Sequence, residues 1–242
     1  MNSFENKAFL ARVRGGDFAH PGEEEAIDLV LSHVKPEARE TVLDAACGLG
    51  ATADAIGKKT GAVVVGVDLD AESMRYTNAA YQGSQFIPGD VTKLGEMAMP
   101  KMDVIYAFNS LYACPDLEAC FSSFREVSNW GGRIAVFDYI AYDADALVGR
   151  ECLPPSVHSM RQMRQLPERE GWACTGIVTS IWPMRPGMAA SWPAWTRTKR
   201  RLRPRARPNS STRCGRNTRI CSAAWSKGRS AVRCTFTPLR EF

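Results

Sequence analysis

Hydrophobic and polar positions follow two different periods along the first 182 residues. Short, continuous apolar runs predict strands buried on both faces of a sheet, whereas apolar residues spaced three and four positions apart predict helices. The predicted strands are 41–46, 62–68, 84–90, 102–108, 131–139 and 172–182. The predicted helices are 23–34, 51–59, 71–82, 116–128 and 156–170, with Asp70 as an N-cap.

Strands that alternate with helices predict βαβ units, which build a parallel sheet with helices on both faces. The predicted fold class is therefore α/β, with a doubly wound, mostly parallel sheet. Three regions are expected: N-terminal lid or cap helices at 1–38, the α/β domain at 39–184, and an irregular or disordered basic tail at 185–242.

The net charge of +5 conceals two unlike parts. Residues 185–242 contain 15 Lys and Arg against a single acid, whereas residues 1–184 contain 16 basic and 25 acidic residues. The tail has too few Ile, Val, Leu and Phe residues to build a core. Only 231–237 alternates like a strand, with Val232, Cys234 and Phe236 on one face.

Two interpretations of the tail stay open. Its mixture of Arg, Pro, Trp, Cys, Ser and Thr is what a GC-rich coding region yields out of frame, which predicts a frameshift near residues 183–190 and a missing native C-terminus. Alternatively, the tail is a disordered basic arm whose arginines could neutralise phosphates. Translation of the other two reading frames would separate these interpretations.

Apolar run length, N-terminal charge and cysteine spacing indicate where in the cell the protein is expected. The longest apolar run, 62–67, is far too short to span a membrane, and the N-terminal residues carry charges where a signal peptide is apolar. Eight cysteines occur without a CxxC pair, which predicts free, mostly buried thiols in a reducing compartment. We expect a cytoplasmic protein, and no metal site is predicted because no cluster has ligand spacing.

Polar residues gather where the predicted strands end, and ligands bind outside the carboxyl ends of such strands. The first strand leads into Asp44-Ala-Ala-Cys-Gly48-Leu-Gly50, in which glycines let a ligand approach the backbone. Asp68 follows Gly48 by 20 residues, which suits a carboxylate that accepts both hydroxyls of a ribose. Asp90 could accept from an exocyclic amine such as that of adenine.

Two cofactors could use this arrangement. A dinucleotide requires G-x-G-x-x-G, but that register reads Ala46-x-Gly48-x-x-Ala51, and Asp44 would lie close to the pyrophosphate. S-adenosylmethionine has no phosphate and carries an ammonium and a sulfonium, which a carboxylate in the first turn suits. The acids therefore favour the methyl donor.

The motif Asp44-x-Ala46-x-Gly48-x-Gly50, followed by GVD (66–68), PGD (88–90) and DVIYAFNSLY (103–112), resembles class I S-adenosylmethionine-dependent methyltransferases of the small-molecule type. The resemblance covers roughly residues 20–182, and the family usually has Gly where this chain has Ala46. It implies a Rossmann-like methyltransferase fold, with a helix and an antiparallel seventh strand after the sixth. It makes 39–184 the cofactor-binding catalytic domain. The residues implied to contact S-adenosylmethionine are Asp44, Ala46, Gly48, Gly50, Asp68, Leu69, Asp90, Val91 and Asn109.

The resemblance also suggests where the acceptor binds. Asn109-Ser-Leu-Tyr112 lacks the prolines typical of enzymes that methylate bases in nucleic acids, so we do not expect nucleic acid as a partner. His20 is the candidate base or acceptor-orienting group, and a purely structural role is its alternative. Tyr139 is the second catalytic candidate. Tyr106, Tyr112 and Tyr139 would line the acceptor pocket or pack in the core.

The predicted function is methyl transfer from S-adenosylmethionine to an oxygen or nitrogen of a small molecule, with no membrane partner. Two alternatives remain: a nucleic-acid-binding methyltransferase that uses the tail, or a catalytically impaired cofactor-binding protein with a frameshifted C-terminus.

Overall fold

A computed structural model describes residues 3–141, 158–180 and 231–238 of the chain. The helices are α1 (Phe4–Arg14), α2 (Glu23–Leu31), α3 (Ala51–Thr60), α4 (Ala71–Ala80), α5 (Leu117–Val127) and α6 (Met160–Arg169). The strands are β1 (Thr41–Ala45), β2 (Val63–Asp68), β3 (Gln85–Pro88), β4 (Met102–Phe108), β5 (Ser128–Ala141), β6 (His158–Ser159), β7 (Trp172–Ser180) and β8 (Ala231–Pro238). Single 3₁₀ turns lie at Leu94–Glu96 and Leu111–Ala113.

The strands form one twisted layer in the order β3-β2-β1-β4-β5-β8-β7, and β6 pairs with the end of β5. Every neighbouring pair from β3 to β5 is parallel, whereas β8 runs antiparallel to both β5 and β7. This topology confirms the predicted doubly wound, mostly parallel sheet.

Successive residues of the central strands face opposite sides of the sheet, as the period of two requires. Val42, Val64 and Val104 belong to a core with α2 and α3. Their neighbours Leu43, Val65 and Ile105 belong to a second core with α5 and α6. Both faces are therefore covered, which explains why these strands are continuous apolar runs in the sequence.

The C-terminal part of the sheet contains the antiparallel strand that the resemblance implied, whereas the helix expected before it falls outside the described residues. β8 supplies the antiparallel strand between β5 and β7, and it covers the segment 231–237 that alternates in the sequence. β7 therefore has an antiparallel neighbour in this structure. The two interpretations of the tail otherwise concern 185–230 and 239–242, which lie outside the described residues.

Two local features differ from the sequence-based expectations. The helix α1 has no buried residue and was not predicted as an individual element. The sulfurs of Cys114 and Cys120 are bonded as a disulfide, so the prediction of free thiols is wrong for this pair, while Cys47 keeps a buried thiol. Within the described ranges, no helix combines the length and apolar character that a membrane span requires.

Candidate functional site

The turn between β1 and α3 is built from residues in the left-handed backbone region. Ala46, Gly48 and Gly50 have φ values of +60°, +60° and +86°. A Cβ on Gly50 would lie 2.9 Å from the side chains of Phe86 and Thr77, so glycine is required there for packing as well as for conformation. Ala46 adopts the same region with a Cβ, which stores strain at the position where the resembling family has glycine.

Asp44 lies at the end of β1 with its carboxylate fully enclosed. Its side chain is 1% exposed, and Oδ2 is a buried oxygen with no hydrogen-bond partner in the part of the chain that the structure describes. Burial, with a smaller contribution from the charge of Asp68, raises the pKa of Asp44 to about 7. A buried carboxylate with an unfilled acceptor is suited to a cationic ligand.

Asp68, at the end of β2, connects three separate segments. Its Oδ2 accepts the backbone N–H of Gly48 at 2.9 Å, and its Oδ1 accepts the N–H of Asp70 at 3.0 Å. The ammonium of Lys7 lies 2.7 Å from Oδ1, so α1 reaches the same carboxylate. The glycine turn and the β2 acid that the sequence analysis selected are therefore in direct contact.

The remaining cofactor candidates surround the same edge of the sheet. Leu69 is 70% exposed directly after Asp68. Asp90 Oδ1 accepts from both the N–H and the hydroxyl of Thr92, an arrangement typical of an aspartate in a turn. Val91 is half-buried beside it and packs against the α5 core. Asn109 follows β4 with φ +49° and donates its N–H to the Phe137 carbonyl.

Asp70 begins α4 at the N-cap position, as the sequence predicted, but its carboxylate does not cap the helix backbone. It accepts the Ser73 hydroxyl at 2.5 Å instead, and Lys7 Nζ lies 3.9 Å away. These contacts outweigh its slight burial and lower its pKa.

His20 lies in an aromatic enclosure beneath the loop that precedes α2. Its ring centroid is 4.9 Å from that of Phe108, and its Nε2 is 3.1 Å from the Thr52 hydroxyl oxygen. Burial lowers the pKa of His20 to about 4, so the ring is neutral at pH 7. Complete burial and a depressed pKa favour the structural alternative for this histidine over a general base.

Tyr139 and Tyr112 face each other near the end of β5 and in the turn after β4. Their ring centroids are 5.9 Å apart in an edge-to-face arrangement. Between them, the buried Asp138 carboxylate accepts the backbone N–H groups of Tyr139 and Tyr112 at 2.7 and 3.1 Å. Burial raises the pKa of Asp138 to about 7 despite these donors. Asp138 thus fixes the turn after β4 against the end of β5.

Tyr106 and Cys47 lie near the site but are both buried. Tyr106 is fully buried in mid-β4 and donates its hydroxyl to the Val34 carbonyl, so the core interpretation is confirmed for it. Cys47 is buried, its Sγ 3.9 Å from Met74 Sδ, and burial raises the pKa of its thiol well above the ordinary value. A thiol of that kind is inert, which supports its interpretation as a turn filler.

Sequence reasoning missed Lys7 and the anchoring role of Asp138. Nothing in the sequence connects Lys7 with Asp68, since the two residues are 61 positions apart. Asp138 carried a signal as a polar residue near the carboxyl end of a buried strand, although its partners were not predictable. Across 3–141, 158–180 and 231–238, no group of three His, Cys, Asp or Glu side chains is arranged to hold a metal ion.

The family model and the curated proteins that this chain resembles are described as methyltransferases. Residues 43–136 match the family model described as a methyltransferase domain. Sterol 24-C-methyltransferase ERG6 of Saccharomyces cerevisiae is 30% identical over 110 residues, which are 43% of this chain and 28% of that protein. Methyltransferase phqN of Penicillium fellutanum is 28% identical over 120 residues, 47% of this chain and 36% of its own. The chain thus spans about a third of the length of these curated relatives.

Solved structures share the fold at low sequence identity. The TehB-like SAM-dependent methyltransferase of Corynebacterium glutamicum has a TM-score of 0.60 at 16% identity and covers 97% of both chains. A phosphoethanolamine N-methyltransferase of Haemonchus contortus, solved with S-adenosyl-L-methionine, has a TM-score of 0.61 at 15% identity, over 74% of this chain and 43% of its own. The [4+2]-cyclase SpnF has a TM-score of 0.64 at 16% identity, over 71% of this chain and 70% of its own.

Proposed function

Since this chain carries a methyltransferase domain at 43–136 within the Rossmann-like fold of class I S-adenosylmethionine-dependent methyltransferases, we propose that it transfers a methyl group from S-adenosylmethionine to an oxygen or nitrogen of a small molecule. The domain and the fold identify the enzyme class. The proposal concerns the acceptor molecule and the residues that bind the cofactor and the acceptor.

The observation that carries the proposal is the buried, unfilled acceptor on Asp44. A ligand that brings a positive charge to Oδ2 would stabilise the ionised carboxylate and relieve the cost of its burial. S-adenosylmethionine has an ammonium and a sulfonium, whereas a dinucleotide would bring a pyrophosphate towards Asp44 and Asp68. The residues present fit the methyl donor.

The other candidates divide into three roles. Ala46, Gly48 and Gly50 would shape the backbone around the methionine end, Asp68 would accept the ribose hydroxyls, and Leu69 would cover an apolar surface of the ligand. Asp90, Val91 and Asn109 would border the adenine side. When bound, S-adenosylmethionine supplies a methyl group on a positively charged sulfur, and in-line transfer depends on positioning and on exclusion of water.

On the acceptor side, we assign pocket-lining roles to Tyr139 and Tyr112. Their facing rings lie at the end of β5 and in the turn after β4, and β4 is the strand next to β1. We assign His20 the role of holding the adjoining loop, because its neutral, enclosed ring is poorly suited to take a proton. The sterol methyltransferases among the relatives support a small-molecule acceptor, although they match less than half of this chain.

Calorimetry with S-adenosylmethionine and S-adenosylhomocysteine tests the cofactor assignment. The unmodified chain should bind both ligands, and Asp68→Ala should remove binding because the ribose loses its acceptor. Asp28→Ala is the matched control, since Asp28 is 60% exposed in α2 and pairs with Lys59. No binding by the unmodified chain, or binding unaffected by Asp68→Ala, would overturn the assignment.

The second candidate function is cofactor binding without methyl transfer. The fold is also that of a protein described as a [4+2]-cyclase, which is the observation behind this candidate. Formation of S-adenosylhomocysteine with a library of small alcohols, amines and sterols separates the two functions. Salt-dependent binding to nucleic acid that disappears when 185–242 are removed would instead favour a nucleic-acid substrate.

A further inference from the structure

The N-terminal helix places a positive charge on the carboxylate that the ribose is proposed to use. Lys7 Nζ, on α1, lies 2.7 Å from Asp68 Oδ1 and 3.3 Å from the Ser73 hydroxyl oxygen. It also lies 3.9 Å from Asp70 Oδ2. Lys7 and Asp68 are only 13% and 9% exposed at their side chains, so this ion pair is much less screened than a surface pair.

Asp68 has little capacity left once Lys7 is in place. Its Oδ2 already accepts the N–H of Gly48, and its Oδ1 accepts both the N–H of Asp70 and the ammonium of Lys7. A ribose diol must donate two hydrogen bonds to the same carboxylate. The backbone donors belong to the fixed turns, so Lys7 is the donor that can leave.

The remaining contacts of α1 are of a kind that can separate. The helix buries none of its residues, and Phe9 and Val13 are 62% and 50% exposed. Besides the Lys7 contacts, the ring of Phe4 lies against that of Tyr76, and the hydroxyls of Tyr76 and Tyr81 donate to the Asp17 carboxylate. A segment held by a few polar contacts opens at a low free-energy cost compared with the core.

We propose that the Lys7–Asp68 ion pair, called the latch below, occupies the position of the ribose hydroxyls. The helix α1 then competes with the cofactor for Asp68. The inference rests on the proposed function, because it assumes that Asp68 binds the ribose. The apparent affinity for the cofactor is then reduced by the fraction of molecules in which the latch is closed. Opening of α1 and entry of the cofactor become one coupled equilibrium.

The test compares Lys7→Met with the unmodified chain by calorimetry, using S-adenosylhomocysteine as the probe. Methionine keeps the apolar stem of the side chain and removes the charge. Lys58→Met is the matched control, because Lys58 also pairs with an aspartate at 2.8 Å but is 75% exposed at the far end of α3. Hydrogen exchange of the 4–14 amides is measured on the same samples, with and without the probe.

We expect Lys7→Met to bind S-adenosylhomocysteine about tenfold more tightly, equivalent to ~1.4 kcal/mol, with Lys58→Met unchanged. Without the probe, the 4–14 amides should exchange faster in Lys7→Met, and the probe should speed their exchange in the unmodified chain. Equal or weaker binding by Lys7→Met, or slower exchange on binding, would overturn the latch alone. Absence of binding by both proteins would overturn the cofactor assignment and the latch together.

Discussion

The imidazole Nε2 of His20 and the hydroxyl oxygen of Thr52 lie 3.1 Å apart, and this hydrogen bond ties the loop before α2 to the first turn of α3. The ring is enclosed by Phe18, Phe108 and Phe137. His20 therefore joins the N-terminal segment to the turn that contains Gly48 and Gly50.

This relationship predicts a specific dependence of stability on pH. Burial lowers the pKa of His20 from 6.5 to about 4, so the unfolded chain binds a proton that the folded chain excludes between these values. The contribution is fully present above pH 6.5 and is lost as the pH falls towards 4, by about 1–3 kcal/mol. Denaturant unfolding of His20→Gln from pH 4.5 to 8 should lack this slope.

His33→Gln serves as the control for that experiment, because His33 is exposed at the end of α2. It should retain the pH dependence of the unmodified chain. An identical slope in His20→Gln would mean that His20 titrates normally, and it would restore His20 as a candidate base.

The buried carboxylate of Asp44 should lower the free energy of unfolding at neutral pH while it contributes to cofactor affinity. Because its pKa is raised to about 7, the folded chain holds a proton that the unfolded chain releases from about pH 4 upward, and the free energy of unfolding falls as the pH rises to 7. Asp44→Asn should raise the free energy of unfolding at pH 8 by about 2–4 kcal/mol and by less at pH 5. The same variant should lose affinity for S-adenosylmethionine in calorimetry.

The exposed Asp28→Asn is the corresponding control and should leave both measurements unchanged. A stabilised Asp44→Asn that still binds with full affinity would show that Asp44 does not contact the ligand. A destabilised variant would show that the carboxylate has partners that the amide cannot replace.

Ala46 predicts a stabilising substitution. A non-glycine residue at φ +60° costs roughly 1–2 kcal/mol, whereas glycine adopts this region freely and loses about 0.5–1 kcal/mol through the flexibility of the unfolded chain. Ala46→Gly should therefore raise the free energy of unfolding by about 0.5–1 kcal/mol and leave cofactor affinity intact. Ala45→Gly, in the adjacent strand position, should instead destabilise. Thermal unfolding of the two variants tests this prediction. Equal destabilisation by Ala46→Gly and Ala45→Gly would show that the backbone at Ala46 is not strained.

The place of β8 predicts a large effect of a short truncation. A chain that stops at residue 230 lacks the strand that pairs with both β5 and β7, so two edges lose their backbone partners. Its melting temperature should fall by several degrees, and it should aggregate at lower concentration than the full chain. A chain that stops at residue 238 keeps β8 and should behave like the full chain. Identical melting of the two truncated chains would mean that β8 contributes nothing to stability.

The sequence predicts the parallel part of the sheet well because burial on both faces leaves a clear pattern. Runs such as 62–68 and 102–108 are apolar throughout, and the structure contains β2 and β4 there. The glycine turn was also predictable, since Gly48 and Gly50 are needed for its backbone. By contrast, α1 presents Phe9 and Val13 to solvent, so its apolar positions mark no buried face.

The contacts that complete the site depend on tertiary packing and were not predictable. The alternation around Val232 suggested a strand, but nothing local states that its neighbours are β5 and β7. The disulfide between Cys114 and Cys120 has no spacing signature in the sequence. The enclosure of His20 requires three aromatic residues from two distant strands and a loop, which one sequence does not bring together.

The position of β8 has a consequence for the protein while it is being synthesised. β8 follows every other strand that the structure describes, and residues 181–230 must be translated between β7 and β8. At roughly 5–20 residues per second, their translation takes several seconds, during which β5 and β7 lack their common partner. Until β8 is available, the unpaired edges of β5 and β7 can pair with another chain, so the partly synthesised protein is prone to aggregate.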